Sequence, residues 1–328
     1  MFKINSFKEY TAALIEIYGG VEVSNTTIEI DNERCEGIIK KVELEVGLAC
    51  VVQRYKIKEN IKLELDYRSL KEYDYIFGVF TTGDLVKFNE TDQEHSVTSS
   101  KRNYGIYTSS NHIQIDGNLN KGVDNLVVVF FVTKEFISRK LSKDAAKKLF
   151  SSDKFYHYFD DIQELEFYNF LLKKSLKQNY HLLENRLYFQ LGALFYLILG
   201  EIESLSLNSK INFVNANISD KEVAILFDIK REIIKDLSEK PSIEKISKKV
   251  GIHLNKLELM FQSIFGYTIY NYYQYKRLKA AALEIELQKS AIKEIAYDYG
   301  FTDMAHFSNT FKKQFGVPPS KYKPSGLR

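Results

Sequence analysis

Two short segments concentrate side chains able to read the edge of a nucleic-acid base. One carries Asn255, Glu258, Leu259 and Gln262; the other carries Met304, Ala305, His306, Ser308 and Asn309. Asn and Gln can make paired hydrogen bonds to adenine, and small or apolar groups can meet the thymine methyl. Asn255, Glu258 and Asn309 lead as base readers, with Leu259, Met304 and Ala305 as apolar contacts. His306 suits the same face and suits helix packing equally well. Nearby cations could hold phosphate and so fix register without reading sequence. These are Lys256, Lys276, Arg277, Lys312, Lys313 and Lys321, with Lys248 and Lys249 in support. Arg277 has a second use open to it, a structural salt bridge within its own helix.

Such side chains work only if a rigid frame presents them, and the frame is written twice. The first copy runs from Ser242 to Tyr272 and the second from Ala291 to Tyr322. Ile243, Ile246 and Gly251 match Ile292, Ile295 and Gly300 at one constant offset. Phe261, Gly266 and Tyr272 match Phe311, Gly316 and Tyr322 at an offset one residue longer. In the second copy Ile292, Ile295, Ala296 and Tyr299 form an apolar helical stripe. Gly300 ends that helix in the left-handed conformation a sharp turn needs. Phe301 plugs the corner and Asp303 caps the next helix. Phe307, Thr310, Phe311 and Phe315 make its buried face, and Gly316 with Pro318-Pro319 stops it. The first copy repeats the grammar with Ile243, Ile246, Val250, Gly251, Leu257, Met260, Phe261, Phe265 and Gly266. Helix, glycine turn, helix is the helix-turn-helix motif. A helical run from Tyr270 to Gln288 joins the copies and can hold them in one relative pose. In such a pair each second helix enters a major groove, and grooves on one DNA face recur about every 34 Å.

The stretch resembles the DNA-binding domain of the AraC/XylS transcription regulators. Ile292, Ile295-Ala296, Gly300-Phe301, Phe307, Phe311-Lys312-Lys313, Gly316, Pro319 and Tyr322 fall where that family's signature expects them, as does Arg277. The resemblance covers roughly the last hundred residues. It implies two helix-turn-helix units on a central helix, bound to an asymmetric site in double-stranded promoter DNA, and activation through RNA polymerase. The family frequently carries basic residues where this chain has Leu259, Gln262 and Asn309. Fewer phosphate contacts mean lower affinity and a flatter salt dependence, so dimerisation or ligand-assisted ordering is expected to compensate.

Charge supports the division. Of a chain of 328 residues with net charge +3, Ile225 to Arg328 holds 18 Lys+Arg against 11 Asp+Glu, a net +7, and the remainder is −4. A basic carboxy-terminal region on an acidic remainder fits a nucleic-acid module joined to something else. Two cysteines, Cys35 and Cys50, do not make a disulfide framework and suggest a reducing cytoplasm. The amino terminus lacks the pattern of a signal peptide. The apolar run Leu187 to Leu199 is too short to span a membrane and contains Gln190, so a buried helix is expected.

Four segments follow: a β-rich sensor or regulatory region over 1–140, a helical extension over 141–206 offering a homodimer interface, a linker over 207–220, and the double helix-turn-helix over 221–328. The fold class is α+β. Residues 1 to 20 suit a short helix or arm. Beyond them TIEIDN, KKVELEVGLACVVQRYKI, NIKLELDYRSL, IFGVF and NLVVVFFV read as strands. Asp31-Asn32, Gly83-Asp84, Asp116-Gly117-Asn118 and Lys121-Gly122 read as turns. That texture means a sandwich or barrel, and the family resemblance makes it a cupin-like jelly roll. His95 and His112 stand singly, unlike the clustered ligands of a metal site, so no metal and no cofactor are expected. Tyr67, Tyr73, Tyr75 and Phe77 suit a ring-shaped ligand and suit core packing better. From Leu183 onward Leu187, Leu191, Leu194, Phe195 and Ile198 line one face of a long helix. A catalytic role is not expected, since neither cysteine sits in a proton-relay setting. Two readings remain: a regulator switched by a small-molecule effector, and a ligand-free regulator whose amino-terminal region serves dimerisation or protein contact.

Overall fold

A computed structural model describes residues 1–81, 104–111, 114–119, 121–122, 124–149, 156–159, 164–177, 182–207, 218–288 and 290–322. The Gly83-Asp84 turn, His95, His112 and most of the 207–220 linker lie outside the described residues.

The amino-terminal elements are β1 (Phe2–Lys3), α1 (Phe7–Tyr18), β2 (Val21–Ser24), β3 (Thr27–Asp31), β4 (Cys35–Glu45), β5 (Leu48–Ile57), β6 (Ile61–Asp66), β7 (Tyr75–Thr81), β8 (Tyr104–Ser110), β9 (Gln114–Leu119) and β10 (Asp124–Val132). Then come α2 (Lys134–Lys140), α3 (Lys143–Leu149), β11 (Tyr156–Phe159), α4 (Glu164–Leu176) and α5 (Leu183–Leu207). Eight strands form one antiparallel sheet in the order β11-β8-β7-β10-β5-β4-β3-β2, and β1-β6-β9 form a second of three. Among the described residues this is an uneven sandwich, without the equal sheets of a regular jelly roll.

The central strands show why NLVVVFFV reads as a continuous apolar run. On β10, Leu126, Val128, Phe130 and Val132 face the helices α2–α5. The alternate residues Val127, Val129 and Phe131 face α1 and the three-stranded sheet. A strand covered on both sides has no polar face to show. Leu183, Leu187, Leu191, Leu194, Phe195 and Ile198 of α5 are buried against the first of these faces. The apolar run at 187–199 is therefore a packed helix. Among the described residues, no helix is long and apolar enough to cross a membrane.

Three strand expectations need correction. KKVELEVGLACVVQRYKI is two strands, not one, joined at Val46-Gly47 with Glu45 opposite Leu48. Gly47 has φ 87°, a conformation that favours glycine, and a Cβ there would meet Thr133 Oγ1 at 2.4 Å. Asp116-Gly117-Asn118 is not a turn: these residues pair with Glu64, Leu63 and Lys62. Ile115 and Leu119 bury themselves in the core and hold that strand in place. The region after 141 is not wholly helical, because β11 returns to pair with β8. The amino-terminal unit thus extends through α5.

The carboxy-terminal elements are α6 (Asp220–Lys235), α7 (Ile243–Val250), α8 (Leu254–Phe265), α9 (Ile269–Glu286), α10 (Ile292–Asp298) and α11 (Met304–Phe315), followed by a 3-10 turn at Pro319–Lys321. They build two cores. The first takes Leu226, Phe227 and Ile233 of α6, Ile246 of α7, Leu257, Met260, Phe261 and Ile264 of α8, and Ile269, Tyr272 and Tyr273 of α9. The second takes Leu278, Ala281, Ala282 and Ile285 from the far half of α9 with Ile295, Phe301, Phe307 and Phe311. One helix is therefore the shared wall of both units.

Candidate nucleic-acid interface

Local chemistry shapes each unit. Ser242 caps α7, accepting from the backbone N–H of Lys245. Gly251 ends that helix at φ 69° and Gly266 ends α8 at φ 73°. Asp303 caps α11, its carboxylate accepting from the N–H of Ala305 at 3.0 Å and of His306 at 3.1 Å. Gly316 ends α11 at φ 80°. Ile246 and Phe301 are buried, as the apolar stripe and the corner plug require.

The second glycine turn also fixes how the units sit together. Gly300 has φ 71°, and a Cβ there would lie 2.0 Å from the carbonyl oxygen of Ser238. Ser238 belongs to the connection between α6 and α7. Only glycine allows that approach.

The anticipated contact residues divide into three groups. Asn255, Leu259, Ala305, His306, Asn309, Lys312, Lys313 and Lys321 are exposed. Leu259 keeps 51% of its surface in solvent. Gln262, Met304 and Ser308 are half-buried beside them. Other positions are already engaged. Lys256 pairs with Glu222 at 2.6 Å and Lys249 with Glu232 at 2.7 Å. The Lys276 ammonium lies 5.4 Å from the ring centroid of Tyr272 and 5.9 Å from that of Tyr275.

Two positions turn inward. Arg277, expected on the DNA backbone, is buried. It donates to the Tyr273 hydroxyl at 2.8 Å and lies over Phe301 at 3.4 Å from the ring centroid. Guanidinium stacks on aromatic faces and is weakly hydrated, so this pocket holds it. Glu258, a leading base reader, is half-buried and accepts from the N–H of Ile269 at 2.9 Å. It satisfies a donor at the start of α9 that the helix cannot satisfy itself. Burial pushes its carboxyl above the usual range. The Tyr273–Arg277 spacing of one helical turn was legible in YNYYQYKR, whereas the Phe301 contact joins distant segments.

The sandwich interior bears on ligand binding. Tyr10, Tyr18, Tyr55, Tyr67 and Tyr107 line a cavity of about 30 Å³ with Gln53, whose amide donates to the Tyr10 hydroxyl at 2.7 Å. Burial pushes the Tyr55 phenol up to about 12, so it stays neutral. Tyr75 and Phe77 pack on the other side of the sheet.

A family model described as a helix-turn-helix domain matches residues 246–325. The regulatory protein SoxS of Escherichia coli (strain K12) is 30% identical over 99 residues, which are 30% of this chain and 92% of SoxS. The probable transcription factor PqrA of Proteus vulgaris is 33% identical over 84 residues, 26% of this chain and 69% of PqrA. Among solved structures, ToxT from Vibrio cholerae aligns over 84% of this chain and 97% of its own, with 16% identity and a TM-score of 0.30.

Proposed function

Because the chain belongs to the AraC/XylS family of DNA-binding transcription regulators, we propose that α8 and α11 are the reading helices of two helix-turn-helix units bound to one promoter duplex. The observation that carries this is the division of α9 between two cores, each holding a helix with an exposed polar face. A rod of 18 residues is about 27 Å long, comparable with the ~34 Å that separates grooves on one DNA face. Asn255, Leu259 and Gln262 meet bases from α8. Met304, Ala305, His306, Ser308 and Asn309 do so from α11. Lys312, Lys313 and Lys321 hold phosphates. The regulator acts in the cytoplasm with RNA polymerase as partner, and no catalysis is proposed. Selection of duplexes from a random library by the full chain tests the reading. The expected product is a two-block sequence; recovery of unenriched DNA would contradict it.

The role of the amino-terminal region is a separate choice. Small-molecule pockets run to about 300–1,000 Å³, and the tyrosine-lined cavity is about 30 Å³. That packing argues against a ligand between the sheets and supports the second reading, in which a cupin-like sandwich serves dimerisation or protein contact. A groove of about 470 Å³ between β4 and α5, lined by Lys40, Glu184, Tyr188 and Phe189, lies on the face the dimer would cover. The homodimer in this reading uses the solvent side of α5, where Phe189 is 71% exposed. Native mass spectrometry after purification tests it. A dimer free of small molecules supports the scaffold, and a stoichiometric ligand returns the choice to sensing.

A further inference from the structure

The amino-terminal sandwich reaches the first reading helix through one short strand. β11 pairs with β8 at one end of the eight-stranded sheet. Its Tyr158 lies over Gly105, where an added Cβ would meet the Tyr158 hydroxyl at 2.5 Å. The ring then enters the aromatic core of the helical region. It meets Phe227 edge-on at 5.0 Å and Phe265 at 6.1 Å, and the Lys230 ammonium lies 4.5 Å from its centroid. Tyr158 thus packs against the core of the sandwich and the first core of the helical region at once. Beside it, buried His157 places Nδ1 3.0 Å from the carbonyl oxygen of Ser263, in position to donate. Ser263 and Phe265 form the last turn of α8.

We infer that His157 and Tyr158 are positioning residues for DNA reading: they clamp the carboxy-terminal end of α8 so that its opposite end is presented in a fixed pose. This rests on the proposed role of α8. Three observations point the same way. The clamp grips the last turn and leaves Asn255 and Leu259 exposed, and recognition helices read mainly through their amino-terminal residues. The reading face of α8 is poor in free charge, because Lys256 already pairs with Glu222. Affinity must then come largely from shape and from a helix ordered before DNA arrives, which lowers the cost of binding. Finally, Lys230 is buried, and an ammonium beside an aromatic face is stabilised by it. Withdrawing the Tyr158 ring would disturb α6 and α8 together.

The test uses the full chain and a duplex selected from a random library by the wild-type protein. Tyr158→Ala is expected to weaken binding roughly tenfold, about the contribution of a buried aromatic contact. Tyr158→Phe, which keeps the ring, is expected to restore it. His157→Ala, which leaves the ring contacts in place, guards against misfolding of the first variant and is expected to weaken binding several-fold. On a duplex with the α8 half scrambled, neither variant should cost anything further, whereas a general loss of fold would. Asn255→Ala with Leu259→Ala serves as the control: without effect on the intact selected duplex, the reading role of α8 itself falls. If the control weakens binding while Tyr158→Ala and His157→Ala bind as well as wild type, or tighter, the clamp is overturned.

Discussion

The guanidinium carbon of Arg277 sits 3.4 Å from the ring centroid of Phe301, joining α9 to the corner that follows α10. A cation stacked and buried there supports the second unit from inside. Arg277→Lys keeps the charge and loses the planar stack. It should destabilise the chain by about 1–3 kcal/mol, read as a lower denaturant midpoint. The slope of log affinity against log salt should not change, because no phosphate contact is lost.

Gly251 and Gly300 occupy equivalent turns with φ 69° and 71°, yet their surroundings differ. A Cβ at Gly251 meets nothing within 4 Å, while one at Gly300 would meet the Ser238 carbonyl oxygen at 2.0 Å. Gly251→Ala should cost about 1–2 kcal/mol, the left-handed penalty alone. Gly300→Ala should cost clearly more and disturb the contact between the two units. Chemical denaturation of the paired variants measures the difference.

These cases mark what could be read from residues and what could not. The twin glycine turns, the Asp303 cap and the Phe311 core were legible because they rest on local spacing. The α5 face was legible because helical periodicity records burial. Asp116-Gly117-Asn118 misled because turn-forming residues tolerate a strand when Ile115 and Leu119 anchor it. β11 was missed although Tyr156, Tyr158 and Phe159 stand between Ser-Asp and Asp-Asp clusters, a strand composition, because four residues are too few to show a period. Glu258 was placed outward by helical phase and Arg277 on the DNA backbone as a nearby cation, but long side chains turn to partners that only tertiary contact supplies. The Tyr158 contact likewise joins segments far apart in the chain.

Glu258 gives a pH signature. Burial raises its folded value above the ordinary 4.5, against the opposing pull of the Ile269 N–H. A raised carboxyl favours the folded state while protonated. Its contribution is complete below 4.5 and is lost as pH rises through the raised value. Glu258→Gln keeps an acceptor for Ile269 without the charge. It should flatten stability against pH across that window and leave the chain at least as stable at neutral pH. Thermal melts across the range test both.

Base readers and phosphate holders should separate. Asn309→Ala should cost about 1–3 kcal/mol on the selected duplex and relax preference at one position. Lys312→Ala or Lys313→Ala should weaken all duplexes alike and reduce the salt slope by about 1. Affinities over a salt series with matched and mismatched duplexes distinguish them.

In the proposed complex α8 and α11 read successive turns of a single duplex face. Hydroxyl-radical footprinting of the full chain on its selected duplex tests it most directly. Two protected blocks about 10 base pairs apart, centre to centre, are expected, one fading in Asn255→Ala/Leu259→Ala and the other in Ala305→Asp/Asn309→Ala. One block sensitive to both pairs, or two blocks on opposite faces of the duplex, would contradict it.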